Sequence, residues 1–325
     1  MAFLKNVSNL FPLSFLIKGR EINTFLPFYH GVYDDVQDPM IKHLYPMKSL
    51  KDFTRDLDVL LENFAPISLL DLMNGKTVGD KPCFHLTFDD GLSSCYNLIM
   101  PILLEKKIPA TFFLNSDFID NKGLFYRYKV SLIIEHIEGN NQNLVSKSKE
   151  ILKAKNLSDI KSKLLSFGYN DVAKIDDLAL KLGLDFSVFL EKEKPYLSSD
   201  QIKEMIANGF TFGSHSCDHP YYNKINLEEQ IRQTIESTNF VKRKFNLNYS
   251  TFAFPFTDDG VEANFFEKIE SEKLLNVSFG TAGLKKTPYN FHNQRTPMED
   301  LNISGLSRIK MEYFKKMIKI IIGRN

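Results

Sequence analysis

The sequence predicts an α/β fold, a parallel sheet with helical crossovers, interrupted by a helical insertion. Three observations carry this. Over the first 125 residues, apolar runs of strand length alternate with segments of helical periodicity. That strand–helix–strand order calls for parallel pairing with a helix packed on the sheet between paired strands. From Tyr126 to about Ser198 helical patterns repeat and strand-like runs are scarce, after which the alternation resumes.

The elements follow in order. Ile22 to Tyr29, INTFLPFY, reads as a strand ending at His30-Gly31, and a loop rich in Asp, Pro and His runs through Pro46. Phe53, Leu57, Leu60, Leu61 and Phe64 recur at helical spacing, which predicts a helix over Ser49 to Phe64. Cys83 to Phe88 is a second strand, Ser93 to Lys106 a helix, and Ala110 to Leu114 a third strand. Within the insertion, Leu178, Leu180, Leu182 and Phe186 show the helical pattern. Asp200 to Asn208 is a helix closed by Gly209, since glycine is favoured just past a helix end. Phe210 to Gly213 is a strand, Leu227 to Phe245 a helix, and Thr251 to Phe256 and Val277 to Gly280 further strands.

With 43% hydrophobic and 25% charged residues over 325 positions, the chain has the composition of a soluble globular protein able to bury a large core. A net charge of +1 gives no global electrostatic case for nucleic acid. Cys83, Cys95 and Cys217 are an odd number without regular spacing, which argues against a disulfide framework and suits a reducing compartment. No CxxC pair exists to supply a thiolate zinc site. Between Lys5 and Lys18 lie 12 uncharged residues, interrupted by Asn9 and Pro12 and too short to span a bilayer. Residues 1–20 read as a docking or membrane-surface segment, with cytoplasmic residence favoured over export.

Two short motifs carry chemistry. Thr87-Phe88-Asp89-Asp90-Gly91 follows the strand CFHLTF and precedes a helix. In parallel α/β folds active sites gather at the carboxyl ends of strands. Adjacent carboxylates at such an edge repel one another and call for a positive partner, although an Asp-Gly turn with a helix N-cap gives the same letters. His215-Ser216-Cys217-Asp218-His219 also follows a strand, and histidines four apart can share a metal ion on one side of a helical turn. One carboxylate and two imidazoles supply three ligands and leave a position open for water, which is the catalytic zinc pattern. The remaining Asp can then act as general base.

With these motifs the chain resembles the NodB-homology polysaccharide deacetylases, carbohydrate esterase family 4. Their TFDDG motif stands at Thr87 to Gly91 and their H(S/T)xxH motif at His215 to His219. The resemblance covers Glu21 to roughly Pro297, apart from the insertion at about 126–198. It implies a distorted (β/α) barrel with about seven strands, spanning residues 21–325 here. It also implies Asp89 as catalytic base, and Asp90, His215 and His219 as ligands of a divalent metal. That donor set suits Zn2+, with Co2+ or Ni2+ as substitutes. Two departures stand out. The third motif of the family commonly carries an Arg before its aromatic-Pro-aromatic step, whereas Phe254-Pro255-Phe256 is preceded by Ala253, so Arg295 is the candidate to orient the base from another strand. The late Leu-x-His motif that provides the general acid is not visible near the C-terminus. Tyr29-His30 resembles the rearranged motif order of the poly-N-acetylglucosamine deacetylases, which makes His30 the expected acid, with His292 the competitor.

The activity so implied is removal of N-acetyl groups from a sugar or polysaccharide, with release of acetate. The same site would also serve an O-acetyl esterase or another amide hydrolase, and a non-catalytic glycan-binding module would need no base at Asp89. There is no Trp to form a sugar platform, so Tyr221, Tyr222, Phe125 or Tyr126 would serve, with Pro255 in the adjoining loop. Phe256-Thr257-Asp258-Asp259-Gly260 repeats the letters of the first motif without its preceding β-forming run and reads as a turn. Leu306 to Gly323 is an amphipathic basic helix that either packs on the barrel or lies on an anionic membrane surface.

Overall fold

A computed structural model describes residues 2–18, 24–79, 81–139, 142–300 and 303–322. Ile22 and Asn23 of the expected first strand, and Gly323 of the expected last helix, lie outside the described residues.

The centre is a parallel barrel. Its strands are β1 (Pro27–Tyr29), β2 (Leu86–Phe88), β3 (Ala110–Leu114), β4 (Thr211–Ser214), β5 (Thr251–Ala253) and β6 (Val277–Gly280), completed by the stretch 292–297. This last stretch, β7, has two parts, His292–Gln294 paired with β6 and Thr296–Pro297 paired with β1. The eight hydrogen-bonded segments therefore occupy seven positions, and the ring closes through Arg295, where the ladder changes partner. At that residue the backbone N–H donates to Gly280 O, and the next one, of Thr296, donates to Leu26 O.

Alternation along the strands sorts the aromatic residues. Phe88, Phe112 and Phe212 face outward, stack in a row and meet Phe53 of the helix Leu50–Asn63. Phe28, Phe113 and Phe279 face inward around the Arg295 guanidinium. Gly213 makes room for this packing, because a Cβ there would lie 2.6 Å from the Phe113 ring.

The expected strands over 22–29 and 83–88 are each broken in two. Thr24–Phe25 and Cys83–Phe84 form a separate small sheet with Ala65–Pro66, and only the second halves enter the barrel. At the break, buried His85 bonds Ile67 O and Thr111 Oγ1, and burial lowers its imidazole to about 4. The helix expected over Ser93–Lys106 begins as a wide π-type turn, Cys95–Ile99, before the α-helix Met100–Glu105. Pro101, which has no N–H for a regular helical bond, accounts for the irregular entry.

The described residues of 126–193 form five α-helices, Tyr126–Gly139, Gln142–Leu152, Leu157–Leu165, Val172–Leu182 and Phe186–Glu193, with a short 3-10 turn at Tyr169–Asp171. They enclose a second apolar cluster that includes Ile133, Ile137, Ile160, Leu164, Ile175 and Leu178. The insertion returns at the mouth of the barrel, where Leu197 N–H donates to Gly91 O.

The terminal segments pack on each other. Helices Ala2–Asn9 and Leu13–Ile17 lie against the last helix, Gly305–Ile321, through Phe11 on Phe314 and through Ser307 Oγ to Asn9 Oδ1. The last helix in turn buries Ile309 and Tyr313 in the main core. Among the described residues, no helix is long and apolar enough to cross a membrane. Cys83, Cys95 and Cys217 are all unpaired and buried.

Candidate active site

Both sequence motifs end barrel strands, and the barrel brings them together. Asp89 and Thr87 lie on the same side of β2, facing inward. Arg295, wholly buried, reaches them from the break in β7. Its two terminal nitrogens donate to the two oxygens of Asp89 at 2.7 and 2.8 Å, and Nη1 also donates to Thr87 Oγ1 at 3.0 Å. Burial alone would raise the Asp89 carboxyl, but the guanidinium outweighs it and holds the group below the ordinary carboxylate value. Arg295 thus reaches Asp89 from β7, not from β5, the strand that ends in Ala253.

Asp90 turns back toward the barrel axis with φ +69°, followed by Gly91 at +65°. Its Oδ2 accepts the Tyr128 hydroxyl at 2.5 Å, a contact supplied by the insertion. Its Oδ1 is buried and accepts no hydrogen bond. Facing that oxygen are Nε2 of His215, 3.5 Å away, and Nε2 of His219, 3.2 Å away. His215 Nδ1 donates to Ala253 O at 2.8 Å, which fixes the tautomer that leaves Nε2 free to ligate. Burial keeps that ring neutral, lowering it to about 4. His219 adopts φ +67°, and its ring packs against Phe125 and Phe256. The ligand atoms of Asp90, His215 and His219 all lie within 4.8 Å of one another.

Charge balance at this cluster is informative. Arg295 compensates Asp89, while the buried Oδ1 of Asp90 accepts no hydrogen bond and faces the Nε2 atoms of His215 and His219. Burial would raise the Asp90 carboxyl, and the surrounding histidines hold it far below the usual range instead. A buried acceptor without a partner is costly, and one carboxylate with two imidazole nitrogens is the donor set of a catalytic divalent-metal site. The residues present fit such an ion.

His30 stands across the cavity from this cluster. Its Nδ1 meets Glu299 Oε2 at 2.5 Å, and its backbone N–H donates to Glu299 Oε1 at 2.8 Å. Burial works against the charged ring, but the Glu299 carboxylate outweighs it and raises His30 to about 9. Register explains the contact. Pro297 pairs with Phe28, so two residues further along each strand Glu299 meets His30.

A cavity of about 430 Å3 opens over these groups, lined by His30, Tyr45, Asp89, Asp90, Phe125, Arg127, His219, Tyr221 and Phe256 among others. Tyr221 lies flat on Phe256, ring centroids 3.5 Å apart and planes 3° apart. Of the other candidate platforms, Phe125 lines the cavity, while Tyr222 is buried in the outer core with its hydroxyl on Thr234. Pro255 is buried and does not line the cavity; its neighbour Phe256, at φ +57°, does. His292 is also not in the cavity wall. It is buried between Ser278 Oγ, 2.8 Å, and Asp258 Oδ2, 3.1 Å. Asp258 further accepts Gln294 and the Thr281 N–H, so the repeated Asp-Asp-Gly letters belong to a structural turn.

The sequence did not bring forward Glu299, Tyr45, Tyr128 or Arg127, and it showed Phe256 only as the end of the aromatic-Pro-aromatic step and the start of the turn over 256–260. Glu299 had one available signal, its place just beyond Arg295-Thr296-Pro297, but that stretch does not look like a strand.

Comparisons with known proteins bear on the family and the fold. A family model described as polysaccharide deacetylase matches residues 76–267, a stretch that contains both motifs. No curated protein sequence matches the chain significantly. Among solved structures, the deacetylase PplD from Streptococcus pyogenes, in complex with acetate, superposes with TM-score 0.56 at 15% identity, covering 89% of this chain and 97% of that one. IcaB from Ammonifex degensii gives 0.55 at 15% identity, with coverages of 89% and 97%. A de-N-acetylase from Aggregatibacter actinomycetemcomitans gives 0.52 at 16%, with coverages of 88% and 99%. At these identities the likeness is one of fold.

Proposed function

Because this chain belongs to the polysaccharide deacetylase family, we propose that it is a metal-dependent hydrolase that removes N-acetyl groups from a sugar or polysaccharide and releases acetate. The observation that carries the reading is the unbonded, buried Oδ1 of Asp90, faced by two imidazole nitrogens and flanked by an Asp89 that Arg295 holds ionised.

Asp90, His215 and His219 would hold the ion, for which Zn2+ is the best fit and Co2+ or Ni2+ are substitutes. When bound, a divalent ion supplies Lewis-acid polarisation of the acetyl carbonyl and a lowered pKa for water. Asp89 accepts the proton of the attacking water, since each carboxylate oxygen keeps a lone pair beyond its bond to Arg295. Arg295 fixes the direction of that acceptor. His30, held protonated by Glu299, gives its proton to the leaving amine. An amide nitrogen departs only once protonated, so a histidine raised to about 9 supports N- over O-deacetylation. The flat Tyr221–Phe256 pair offers a face for the sugar ring.

The test is acetate release from N- and O-acetylated oligosaccharides by protein stripped of metal and then reloaded with zinc. Release from N-acetylated substrate, lost on stripping and restored by zinc, is expected. Release from O-acetylated substrate alone, or release indifferent to metal, overturns the reading.

We also propose cytoplasmic residence with peripheral contact to an anionic membrane surface through the paired terminal segments. Phe3, Leu10 and Ile321 are each more than 70% exposed in these segments, which also expose Lys18 and Lys319. Co-sedimentation with vesicles containing anionic lipid, but not with neutral ones, is the expected result.

A further inference from the structure

Arg127 lines two cavities at once. Beside the catalytic cavity lies a second, of about 390 Å3, walled by Tyr126, the segment 165–171, Lys224 and Ile225. Arg127 and Tyr221 belong to both walls, so the two cavities adjoin. The second is built jointly by the helical insertion and the loop that follows His219.

Its charge is unbalanced. The ion pairs of the insertion include Lys129–Asp176, Lys161–Glu138, Lys163–Asp159, Lys174–Asp171 and Lys181–Asp177. Among the described residues, neither Arg127 nor Lys224 has a carboxylate within ion-pair distance. Lys224 instead holds its ammonium 4.7 Å over the Tyr221 ring. The carboxylate on this wall, Asp171, is already occupied, with Lys174 Nζ at 2.7 Å and the Gly168 N–H at 3.0 Å. Asp218, behind Tyr169, takes that tyrosine's hydroxyl and the Gln233 amide. Two cations thus face the space while the nearby anions are spent on other partners.

We infer that this second cavity is a binding subsite for an anionic group, carboxylate or phosphate, attached next to the acetylated sugar, either directly or on the adjoining unit. The inference rests on the proposed N-deacetylation in the first cavity. With the acetylated ring against Tyr221 and Phe256, the neighbouring unit passes Arg127 and enters the second wall. A planar guanidinium pairs with either oxyanion through two parallel bonds, and Lys224 adds a point charge. Specificity then comes from charge and from the insertion, in a chain without tryptophan to grip a neutral glycan by stacking.

The test is calorimetric titration of the metal-loaded protein with three probes: N,N′-diacetylchitobiose, the disaccharide of N-acetylglucosamine with glucuronate, and N-acetylglucosamine 1-phosphate. At least one charged probe should bind about tenfold or more tightly than the neutral one, with the advantage shrinking as salt rises. Whichever charged probe gains more identifies carboxylate or phosphate as the source. Arg127→Gln combined with Lys224→Gln should erase the preference, and Lys224→Gln alone, at an exposed position, should reduce it. Equal affinity for charged and neutral probes, preference surviving the double variant, or no binding of the charged probes at millimolar concentration overturns the subsite. Acetate release, followed in parallel, separates the two readings. Preferential binding with no acetate from any N-acetylated probe overturns N-deacetylation and leaves the subsite standing. Equal kcat/KM on charged and neutral substrates overturns the subsite and leaves N-deacetylation.

Discussion

The active cavity has two sides that are built differently. On one side Asp89, Asp90, His215 and His219 are almost wholly buried, and they come from two five-residue stretches that each end a barrel strand. On the other, His30 keeps 24% of its side chain exposed, and its partner Glu299 lies 269 residues away along the chain. The family match over 76–267 includes the first side and leaves out His30, Arg295 and Glu299. A buried ion site tolerates little change in donor type or distance. A proton donor at the rim needs only a neighbour that sets its charge, and that neighbour can come from anywhere the barrel closes.

The sharpest test of this contrast removes the ligands. His215→Ala with His219→Ala should abolish bound metal and reduce turnover to background, as read by elemental analysis and acetate release. Asp89→Asn keeps the shape of the same side and removes its basicity. It should retain metal while turnover falls by roughly 10²–10⁴-fold. Loss of metal in Asp89→Asn would exchange the roles of the two aspartates.

The opposite side should behave otherwise. His30→Ala should stop amide cleavage, keep its metal, and spare activated esters whose leaving groups need little protonation. Glu299→Gln is the subtler form of the same test. The raised value of about 9 means that His30 stays protonated through neutral pH in the native protein. Without the Glu299 carboxylate only Asp90 and Asp89 oppose burial, so the ring falls from about 9 and the proton is lost as pH rises through a lower range. The loss of kcat/KM on amide substrate should therefore be much larger at pH 8 than at pH 5.5. A pH-independent loss would mean that Glu299 only shapes the His30 loop.

How much of this was legible follows the same division. Asp89-Asp90 and His215–His219 are contiguous, so letters alone brought them forward, and the alternation of strand and helix placed them on one rim. Arg295 was suspected only because Ala253 left a gap. Its route to Asp89 depends on the break in β7, and residues 292–297 carry too few β-forming side chains to announce a strand. Glu299 depends on the register of that unannounced strand against β1. The strands over 22–29 and 83–88 were found but read as continuous, because an apolar run does not record that the ladder between them is interrupted at Leu26 and His85, where the outer neighbour of the second strand passes from Ala65–Pro66 to β3. The insertion was visible as helical, while its contribution of Tyr128 and Arg127 to the cavity was not, since contact between distant segments leaves no local pattern.

Tyr128 tests how far the insertion supports the buried side. Its hydroxyl donates to the Asp90 oxygen that does not face the histidines, at 2.5 Å, and so orients the other toward them. Removing a group that orients a ligand typically weakens metal binding by roughly 10–100-fold. Tyr128→Phe should fall in that range in a competition with a chelator, with the folded protein otherwise intact. Unchanged affinity would mean that packing alone sets the Asp90 rotamer.

The smallest expected effect on chemistry belongs to His292, and it separates position from residue type. His30 and His292 both adjoin barrel strands and both pair with a carboxylate, yet only His30 lines the cavity. His292 is buried among Phe254, Phe266 and the Asp258 turn, where it bridges Ser278 and Asp258. Truncation there leaves the buried Ser278 hydroxyl without its partner and takes one of three donors from Asp258, which costs on the order of 1–3 kcal/mol. His292→Ala should accordingly lower the melting temperature by several degrees while kcat for amide hydrolysis, measured well below that temperature, stays within about twofold of the native value. Loss of amide turnover at unchanged stability would move the proton donor from the His30 side to the Asp258 turn and undo the division of the site.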